Sequence, residues 1–273
     1  MARVTTTYTQ WSLNSMYRRD DVNRLRRIFI TVKQLAGEDT AKEWALKALC
    51  DAAKANALEC SDWLASFVAS GRPAPNPPAL HTAVENKNPL TARFLARHSL
   101  KRDIASIADD GLRLAASADD AELVEIFRPR ADVNKALLDG TTPLMAATAK
   151  GSSALQALLP HANREERDMN GRNALMRAIL NRNEDAMILL LRDASETEIN
   201  AETVAGKSAR ELAEQVQADE QRFGRLGVSG RPFRPLDMMK PRIEFFELSK
   251  AAEAGRASSG QAASSKGRGP RRL

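Results

Sequence analysis

The sequence predicts an all-α solenoid, in which five to six helix-turn-helix repeats stack through short β-turn connections. The first observation is a leucine that recurs at intervals of 31 or 32 residues, at Leu49, Leu80, Leu112, Leu144 and Leu175. The second is a pair of large apolar residues fourteen or fifteen positions after each leucine: Trp63–Leu64, Phe94–Leu95, Ile126–Phe127, Leu158–Leu159 and Leu189–Leu190. Two markers that keep one spacing indicate helix pairs that bury their apolar faces against their neighbours.

Composition agrees with closely packed helices. The 273 residues are 43 % hydrophobic but only 5 % aromatic, which suits helices that approach each other through small side chains. No run approaches the roughly 18 apolar residues of a membrane span, and the N-terminus lacks an apolar signal-peptide core. We therefore expect a soluble, cytoplasmic protein in which Cys50 and Cys60 are reduced, buried hydrophobes.

The N-terminal part is predicted to have two sections. Residues 1–16 are polar, contain no acid and are expected to be disordered. Residues 17–44 are expected to form basic capping helices, because apolar residues from Val22 to Leu35 make one helical stripe and the arginines of Arg18–Arg27 lie largely off it. Such a helix could lie on a membrane or on nucleic acid, but we favour a cap over the first face of the array.

The stretch GTTPLMAATAKG, from Gly140 to Gly151, resembles the ankyrin repeat family, whose unit of about 33 residues opens its first helix with T-P-L-H-x-A. The residues that carry the resemblance are Thr142, Pro143, Leu144, Ala146 and Ala147, with a second copy at Ala79, Leu80, His81 and Ala83. Gly151 matches the glycine between the two helices, Ala131–Asn134 resembles the segment that leads into the next turn, and Gly140, Gly171 and Gly206 match the β-turn. The resemblance implies an ankyrin-type array over residues 45–220, with a degenerate sixth repeat at Gly206.

Residues 71–78 and the region after residue 220 are rich in glycine and proline, which interrupt regular helices. The stretch GRPAPNPP, residues 71–78, is either an extended turn or a linker, and the unbroken interval from Leu49 to Leu80 favours the turn. Residues 221–253 are predicted to form an irregular C-terminal cap with a short helix at Arg242–Ala252, and residues 254–273 a disordered basic tail.

No residue pattern points to catalysis, a cofactor or a metal. The three histidines, His81, His98 and His161, lack an i, i+4 partner, and the glycines of Gly224–Gly230 lack the Lys-Ser/Thr ending of a phosphate-binding loop. We therefore expect a protein that is not an enzyme and needs no cofactor.

The family resemblance implies a protein partner, held by the turn tips and the inner, concave face of the first helices. Carried over by position, the candidate partner-binding residues are Leu138, Asp139, Thr141, Ala149 and Lys150 in the fourth repeat, and Met169, Asn170, Arg172, Leu180 and Asn181 in the fifth. Equivalent earlier positions are Glu85, Asn86, Ser106, Ile107, Asp109, Ser117 and Ala118.

Charge leaves a second interpretation open. Residues 37–220 carry a net charge of −7, whereas residues 1–36 carry +5 and residues 254–273 carry +5. The basic ends could attach the chain to nucleic acid or to an anionic membrane. The polar N-terminus also resembles those of bacterial type III secreted ankyrin-repeat effectors, which implies delivery into a host cell without a signal peptide.

Overall fold

The computed structural model describes residues 15–69, 77–98, 101–223 and 232–265. These residues are mostly helical, and an isolated β-bridge joins Glu202 and Ser208. The chain divides into two compact units, which we call the N-terminal unit, residues 1–163, and the C-terminal unit, residues 164–273. The predicted all-α repeat fold is confirmed. In the part of the chain that the structure describes, no helix is both long enough and apolar enough to cross a membrane.

The N-terminal unit contains ten α-helices among its described residues from Val22 onward. They are α1 (Val22–Ala36), α2 (Glu38–Lys54), α3 (Leu58–Ala69), α4 (Pro77–Glu85), α5 (Pro89–His98), α6 (Lys101–Ser106), α7 (Ala108–Ala118), α8 (Ala121–Phe127), α9 (Pro143–Ala147) and α10 (Ser153–Leu158). Helices α2, α4, α7 and α9 pack in succession as a layer of first helices. Helices α1, α3, α5, α8 and α10 pack in succession as a layer of second helices.

The C-terminal unit repeats the same two-layer plan. It contains α11 (Ala174–Leu180), α12 (Glu184–Arg192), α13 (Glu196–Ile199), α14 (Ala209–Phe223) and α15 (Pro235–Ser265). The first helices α11 and α14 pack together, as do the second helices α12 and α15. Helices α14 and α15 therefore form the sixth repeat, and α15 takes the place of its second helix.

The two sequence markers predict the core correctly. Each of the five marker leucines is at most 1 % exposed. One member of each apolar pair is buried, namely Leu64, Leu95, Phe127, Leu158 and Leu190. The helices approach closely because small residues separate them, and Gly111 is packed directly beneath the Phe127 ring, where a Cβ atom would lie 2.5 Å from the ring carbons.

The turn between the two helices of a repeat has one backbone design at five places. The residues at its centre have positive φ, between 51° and 60°, and are Asp20, Asn56, Lys87, Asp119 and Arg182. The N–H of the left-handed residue donates to the carbonyl three residues before it, and the N–H of the following residue donates to the carbonyl five residues before that one. In the third repeat, for example, Asp119 donates to Ala116 and Asp120 donates to Ala115. This is the Schellman motif, which ends a helix with a left-handed residue.

Three of these left-handed residues also bind the following repeat. The Asp20 carboxylate accepts the backbone N–H groups of Glu59 and Cys60 at the start of α3, both at 2.9 Å. Asp119 accepts the N–H of Ala154 in the first turn of α10 at 2.8 Å. Asn56 accepts the Thr91 hydroxyl of α5 at 2.8 Å. The side chain at this turn thus satisfies polar groups of a helix in the next repeat.

The fourth repeat lacks the motif. Its glycine, Gly151, occupies the family's position but does not have positive φ. Instead, a Cβ atom there would lie 1.8 Å from the Asp119 carboxylate. Helix α10 begins nine residues after Leu144, as the second helix does after its marker leucine in the other four repeats. The buried member of its apolar pair is nevertheless Leu158, fourteen residues after Leu144, whereas it follows the marker leucine by fifteen in the other four repeats. Gly151 therefore makes room for the capping carboxylate.

Helix α1 belongs to the array. It packs on α2 and α3 and buries Leu25, Ile28, Phe29 and Val32. A helical turn at residues 15–18 and the left-handed Asp20 precede α1. In the same way, a first helix and a Schellman turn precede α3, α5, α8 and α12. Met16, assigned to the disordered segment from the sequence, is 1 % exposed. Residues 1–14 lie outside the described residues.

Hairpin-like β-turns precede repeats four, five and six. In each, the glycine N–H bonds to the carbonyl three residues back, with φ of 76° at Gly140, 74° at Gly171 and 70° at Gly206. The predicted role of these glycines is therefore confirmed, since only glycine accepts such φ values without strain. The third repeat has helix α6 in place of the turn.

The C-terminal helix is longer than the sequence suggests. The sequence predicts a short helix at Arg242–Ala252, but α15 begins at Pro235 and continues to Ser265, into the segment predicted to be a disordered tail. Pro235 suits the first helical position, where a backbone N–H has no partner, and Pro241 is accommodated inside the helix. Phe233 and Met239 are fully buried, as expected for residues that cover the end of the array.

The proline-rich stretch 71–78 lies largely outside the described residues, and α4 begins at Pro77. The repeats on either side of it pack directly, through α2 with α4 and α3 with α5. This packing is what the turn interpretation predicts.

Candidate functional site

A groove runs along the first helices of the N-terminal unit. It consists of two adjoining cavities of about 510 Å³ and 370 Å³, which share Asp110, Arg113 and Leu137. We call it the N-terminal groove. The first cavity is lined by Val84, Glu85, Lys87, Leu114, Ser117, Thr141, Thr142 and Ala146, and the second by Ala105, Ser106, Ile107, Ala108, Asp109, Asp132, Lys135, Ala136 and Leu138.

Ion pairs organise the walls of the N-terminal groove. Arg113 pairs with Asp110 one turn away on α7. Lys135 pairs with Asp109, whose carboxylate also accepts the backbone N–H of Asp132 at 2.9 Å. These two hydrogen bonds, the one from Lys135 foremost, lower the pKa of Asp109. Asp109 therefore stays charged at neutral pH, and the groove offers its carboxylate beside an exposed apolar rim at Leu137.

Each β-turn presents an apolar side chain two residues before its glycine. These residues, which we call the turn tips, are Leu138, Met169 and Val204, with exposed fractions of 107 %, 69 % and 80 %. In the C-terminal unit, the turns of Met169 and Val204 are joined, because the Val204 N–H donates to the Asn170 carbonyl at 2.9 Å. Exposed apolar side chains at a fixed turn position are unusual on a free surface and typical of a binding surface.

The fifth-repeat turn is held by a buried carboxylate. Asp168 accepts the backbone N–H groups of Asn170 and Arg172, both at 2.9 Å, and the side chains of Arg172 at 2.9 Å and Arg177 at 2.8 Å. Burial opposes ionisation of Asp168, but the donors outweigh it, and its pKa is lowered. The turn that presents Met169 is therefore rigid.

The predicted partner-binding residues fall into two groups. Leu138, Asp139, Lys150, Met169, Asn170 and Asn181 are exposed, and Leu180 is half-buried. Thr141 is only 8 % exposed and donates its hydroxyl to Asp139 at 2.8 Å, while Arg172 is bound to Asp168. We assign Thr141 and Arg172 mainly to the stability of their turns.

The earlier candidates divide in the same way. Glu85, Ser106, Asp109 and Ser117 line the N-terminal groove. Asn86 and Ala118 do not line it, and Ile107 lines it but is only 4 % exposed. Ile107 is buried because helix α6 replaces the β-turn that would have exposed it.

Sequence reasoning missed several residues of these surfaces. Val204 could have been found, since it precedes Gly206 by the same two residues that separate Leu138 from Gly140. Asp110 and Arg113 carry the i, i+3 spacing of an ion pair. Lys135 carries no comparable sequence signal, because its partner Asp109 is 26 residues away.

The remaining polar groups have structural roles. His81 Nε2 lies 3.1 Å from the Ser106 hydroxyl and so links the second and third repeats, as expected for a structural histidine. Burial raises the pKa of the Cys60 thiol, and burial likewise raises that of the half-buried Cys50. Among the described residues, no cluster of acids, histidines and cysteines could hold a metal ion.

These features define a helical-repeat protein that displays a groove and a series of turn tips. Residues 112–203 match the family model described as ankyrin repeats in three copies, so this segment carries the ankyrin repeats predicted from the TPLM element. No curated protein matches the chain. Ankyrin repeats are generally protein–protein interaction modules, and the family is typically non-enzymatic.

Proposed function

We propose that the chain binds a partner protein through the N-terminal groove and the turn tips. The observation that carries the proposal is the recurrence of an exposed apolar residue at the same turn position in three successive repeats. Leu138, at the edge of the N-terminal groove, has its whole side chain accessible. Such residues contribute nothing to the core and are candidate energetic anchors of an interface.

The walls of the N-terminal groove support a partner segment of mixed character. Its carboxylates, including Glu85 and Asp110, lie beside the cations Lys87 and Arg113 and the apolar Leu137. A bound segment with an apolar residue between polar ones would match this arrangement. Charged walls of both signs favour specificity of partner choice more than affinity.

The test is capture of partner proteins by the full chain, followed by affinity measurement with turn-tip variants. Leu138→Asp and Met169→Asp should each weaken the captured partner at least about tenfold, which is about 1.4 kcal/mol. Leu35→Asp is the matched control, because Leu35 is 66 % exposed on α1 and outside both surfaces. Equal binding by all three variants would refute the proposal.

A second candidate function is attachment of α1 to an anionic membrane. Its outer face carries Arg26, Arg27 and Lys33 around Ile30, which is 53 % exposed. Basic residues around an exposed apolar one suit a lipid interface better than nucleic acid, where the apolar group would gain nothing. Arg26 also lies over the Trp63 ring at 5.9 Å, which fixes its position on this face.

Liposome flotation tests this second candidate. Binding to vesicles that contain phosphatidylserine should fall with salt and be lost in Arg26→Glu/Arg27→Glu, whereas Arg210→Glu, an exposed arginine of α14, should change nothing. Salt-dependent binding to duplex DNA without binding to vesicles would assign the same face to nucleic acid instead.

The effector hypothesis stays a prediction that depends on the N-terminal segment. Fusion of residues 1–50 to a reporter should give export that requires a type III apparatus. The same fusion with residues 1–14 removed is the control, since it keeps the buried Met16 and Tyr17. Retention of the full fusion inside the bacterium would rule the hypothesis out.

A further inference from the structure

A second groove lies in the C-terminal unit between α12 and α15, away from the turn tips. We call it the C-terminal groove. It has a volume of about 490 Å³ and is lined by Glu184, Ile188, Leu191 and Arg192 of α12 and by Met238, Pro241, Arg242 and Phe245 of α15. Two helices whose facing side chains leave a trough between them form the usual seat for a third helix.

The rim of the C-terminal groove is apolar and exposed. Ile188 is 57 % exposed, Phe245 is 56 % exposed, and Leu248, one turn beyond Phe245, is 71 % exposed. These residues form a patch on two packed helices. A patch of this kind marks an interaction site, whereas apolar residues scattered singly over a surface do not. The sequence predicts a short helix at Arg242–Ala252 that contains Phe245 and Leu248, but it does not predict that this helix packs against α12.

Phe245 is held in place before any partner arrives. Its ring packs edge-on against Phe246, with centroids 5.6 Å apart, and the Arg242 guanidinium lies over both rings. Arg242 is itself fixed, since it donates to the Ala194 carbonyl at 2.6 Å. An aromatic side chain that loses little freedom on binding is an effective anchor.

The charged residues at the two ends of α12 are opposite in sign, so the helix can pair with a second copy of itself. Glu184 lies four residues before Ile188 and Arg192 four residues after it, so the three share one helical face. If a second α12 crosses antiparallel about a two-fold axis at Ile188, each Glu184 faces Arg192 of the other copy. Arg192 is available for this exchange, because its ion pair with Asp193 is between side chains 69 % and 64 % exposed and is therefore weak.

We propose that two copies of this chain associate through the C-terminal groove. In this symmetric contact, Ile188 packs on Ile188 of the second copy, Phe245 enters the opposite groove, and two Glu184–Arg192 pairs close the ends. A two-fold interface must be complementary to itself, and the order acid, apolar, base along α12 satisfies that requirement. The proposal is independent of the partner-binding function, since it uses neither the N-terminal groove nor the turn tips.

The test is sedimentation equilibrium of the full chain over concentrations up to about 1 mM. The 29.9 kDa chain should show a reversible dimer. Ile188→Asp should weaken dimerisation at least about tenfold, and Glu184→Arg and Arg192→Glu should each give monomers, because each change places like charges opposite one another. Arg210→Glu, away from the groove, should leave the dimer unchanged.

Mixing the two charge variants gives the decisive result. In a heterodimer of Glu184→Arg with Arg192→Glu, one chain supplies both cations and the other both carboxylates, so both ion pairs are restored and two monomeric variants should associate when combined. Circular dichroism of each variant confirms that it is folded. A monomeric wild-type chain, or a dimer that Ile188→Asp and the charge variants leave unchanged, would overturn the proposal, as would variants that stay monomeric when mixed.

Discussion

At the residue scale, the inter-helix turns show that one backbone conformation serves two purposes. Asp20, Asn56 and Asp119 are left-handed and also bind the following repeat. Asp and Asn tolerate this conformation better than other non-glycine residues. Lys87 has the same φ, 57°, but cannot accept a hydrogen bond, so it bears the backbone strain without providing a cap.

Two glycine substitutions at this turn position should therefore have opposite effects. Lys87→Gly should raise the free energy of unfolding by about 1 kcal/mol, since it relieves the left-handed strain. Asp119→Gly should lower it by about 1 kcal/mol, because Ala154 loses its hydrogen-bond acceptor. Urea unfolding of both variants measures the difference, and equal shifts of one sign would contradict the assignment.

The buried carboxylate of the fifth-repeat turn predicts a pH dependence. The pKa of Asp168 in the folded chain lies below its ordinary value of 3.8, so its stabilising effect is fully present above that value. It is lost as the pH falls through the lowered pKa, because the folded chain must then take up a proton. Asp168→Asn should cost about 2 kcal/mol at neutral pH, and less than that near pH 2. Urea unfolding at both pH values measures this, and a constant difference would exclude ionisation as the cause.

At the element scale, α1 changes from an added cap to a member of the repeat series. Its sequence signal was the pair Ile28–Phe29, which precedes Trp63–Leu64 by 35 residues and was interpreted only as a helical stripe. The structure adds the left-handed Asp20 before it and the caps that Asp20 provides for α3. A degenerate repeat therefore precedes the first one recognised from its leucine.

A capping test follows from this placement of α1. Asp20→Ala should destabilise the N-terminal unit by about 2 kcal/mol, because α3 loses two hydrogen bonds at its start and alanine is strained at φ 51°. Asp20→Asn, which keeps one acceptor and tolerates the conformation, should cost less than half as much. Thermal unfolding of both variants provides the comparison, and an unchanged melting temperature for Asp20→Ala would separate α1 from the array.

How well each structural element could be predicted from the sequence depended on the kind of residue pattern that marks it. Apolar spacing located the core correctly, because a leucine such as Leu112 must recur wherever two repeats stack. Glycine located the β-turns, because φ near 75° selects it. The beginning of α15, before Arg242, was missed because Gly and Pro near Pro235 were interpreted as breakers, although proline also starts helices. Lys135 and Asp109 could not be paired from sequence, since only the tertiary fold brings them together.

At the scale of the whole molecule, stability is distributed along the array. Within each unit, the described helices of one repeat pack against those of the adjacent repeat, so unfolding is expected to depend on interfaces between adjacent repeats. Residues 15–36 therefore contribute to the stability of the array, and this role is separate from any signal that residues 1–14 carry.

Removal of residues 1–36 should reveal this contribution. The deletion exposes the faces of α2 and α3 that cover Leu25, Ile28, Phe29 and Val32. Each such side chain contributes about 1.5–3 kcal/mol when fully buried. We expect a lower melting temperature and a broader transition by circular dichroism, whereas removal of residues 1–14 alone should have a smaller effect. An equal effect of the two deletions would argue against the role of α1.

The second helix of the fourth repeat shows that one repeat can change its buried face by itself. Helix α10 buries Leu158 in place of its neighbour Leu159, and a shift of one residue corresponds to about 100° around the helix axis. The next repeat begins on schedule at Leu175, and its own buried residue, Leu190, returns to the usual spacing. A change in which residues a helix buries is thus confined to the repeat in which it occurs, so one repeat can diverge in sequence while the spacing of the markers in the next repeat is unchanged.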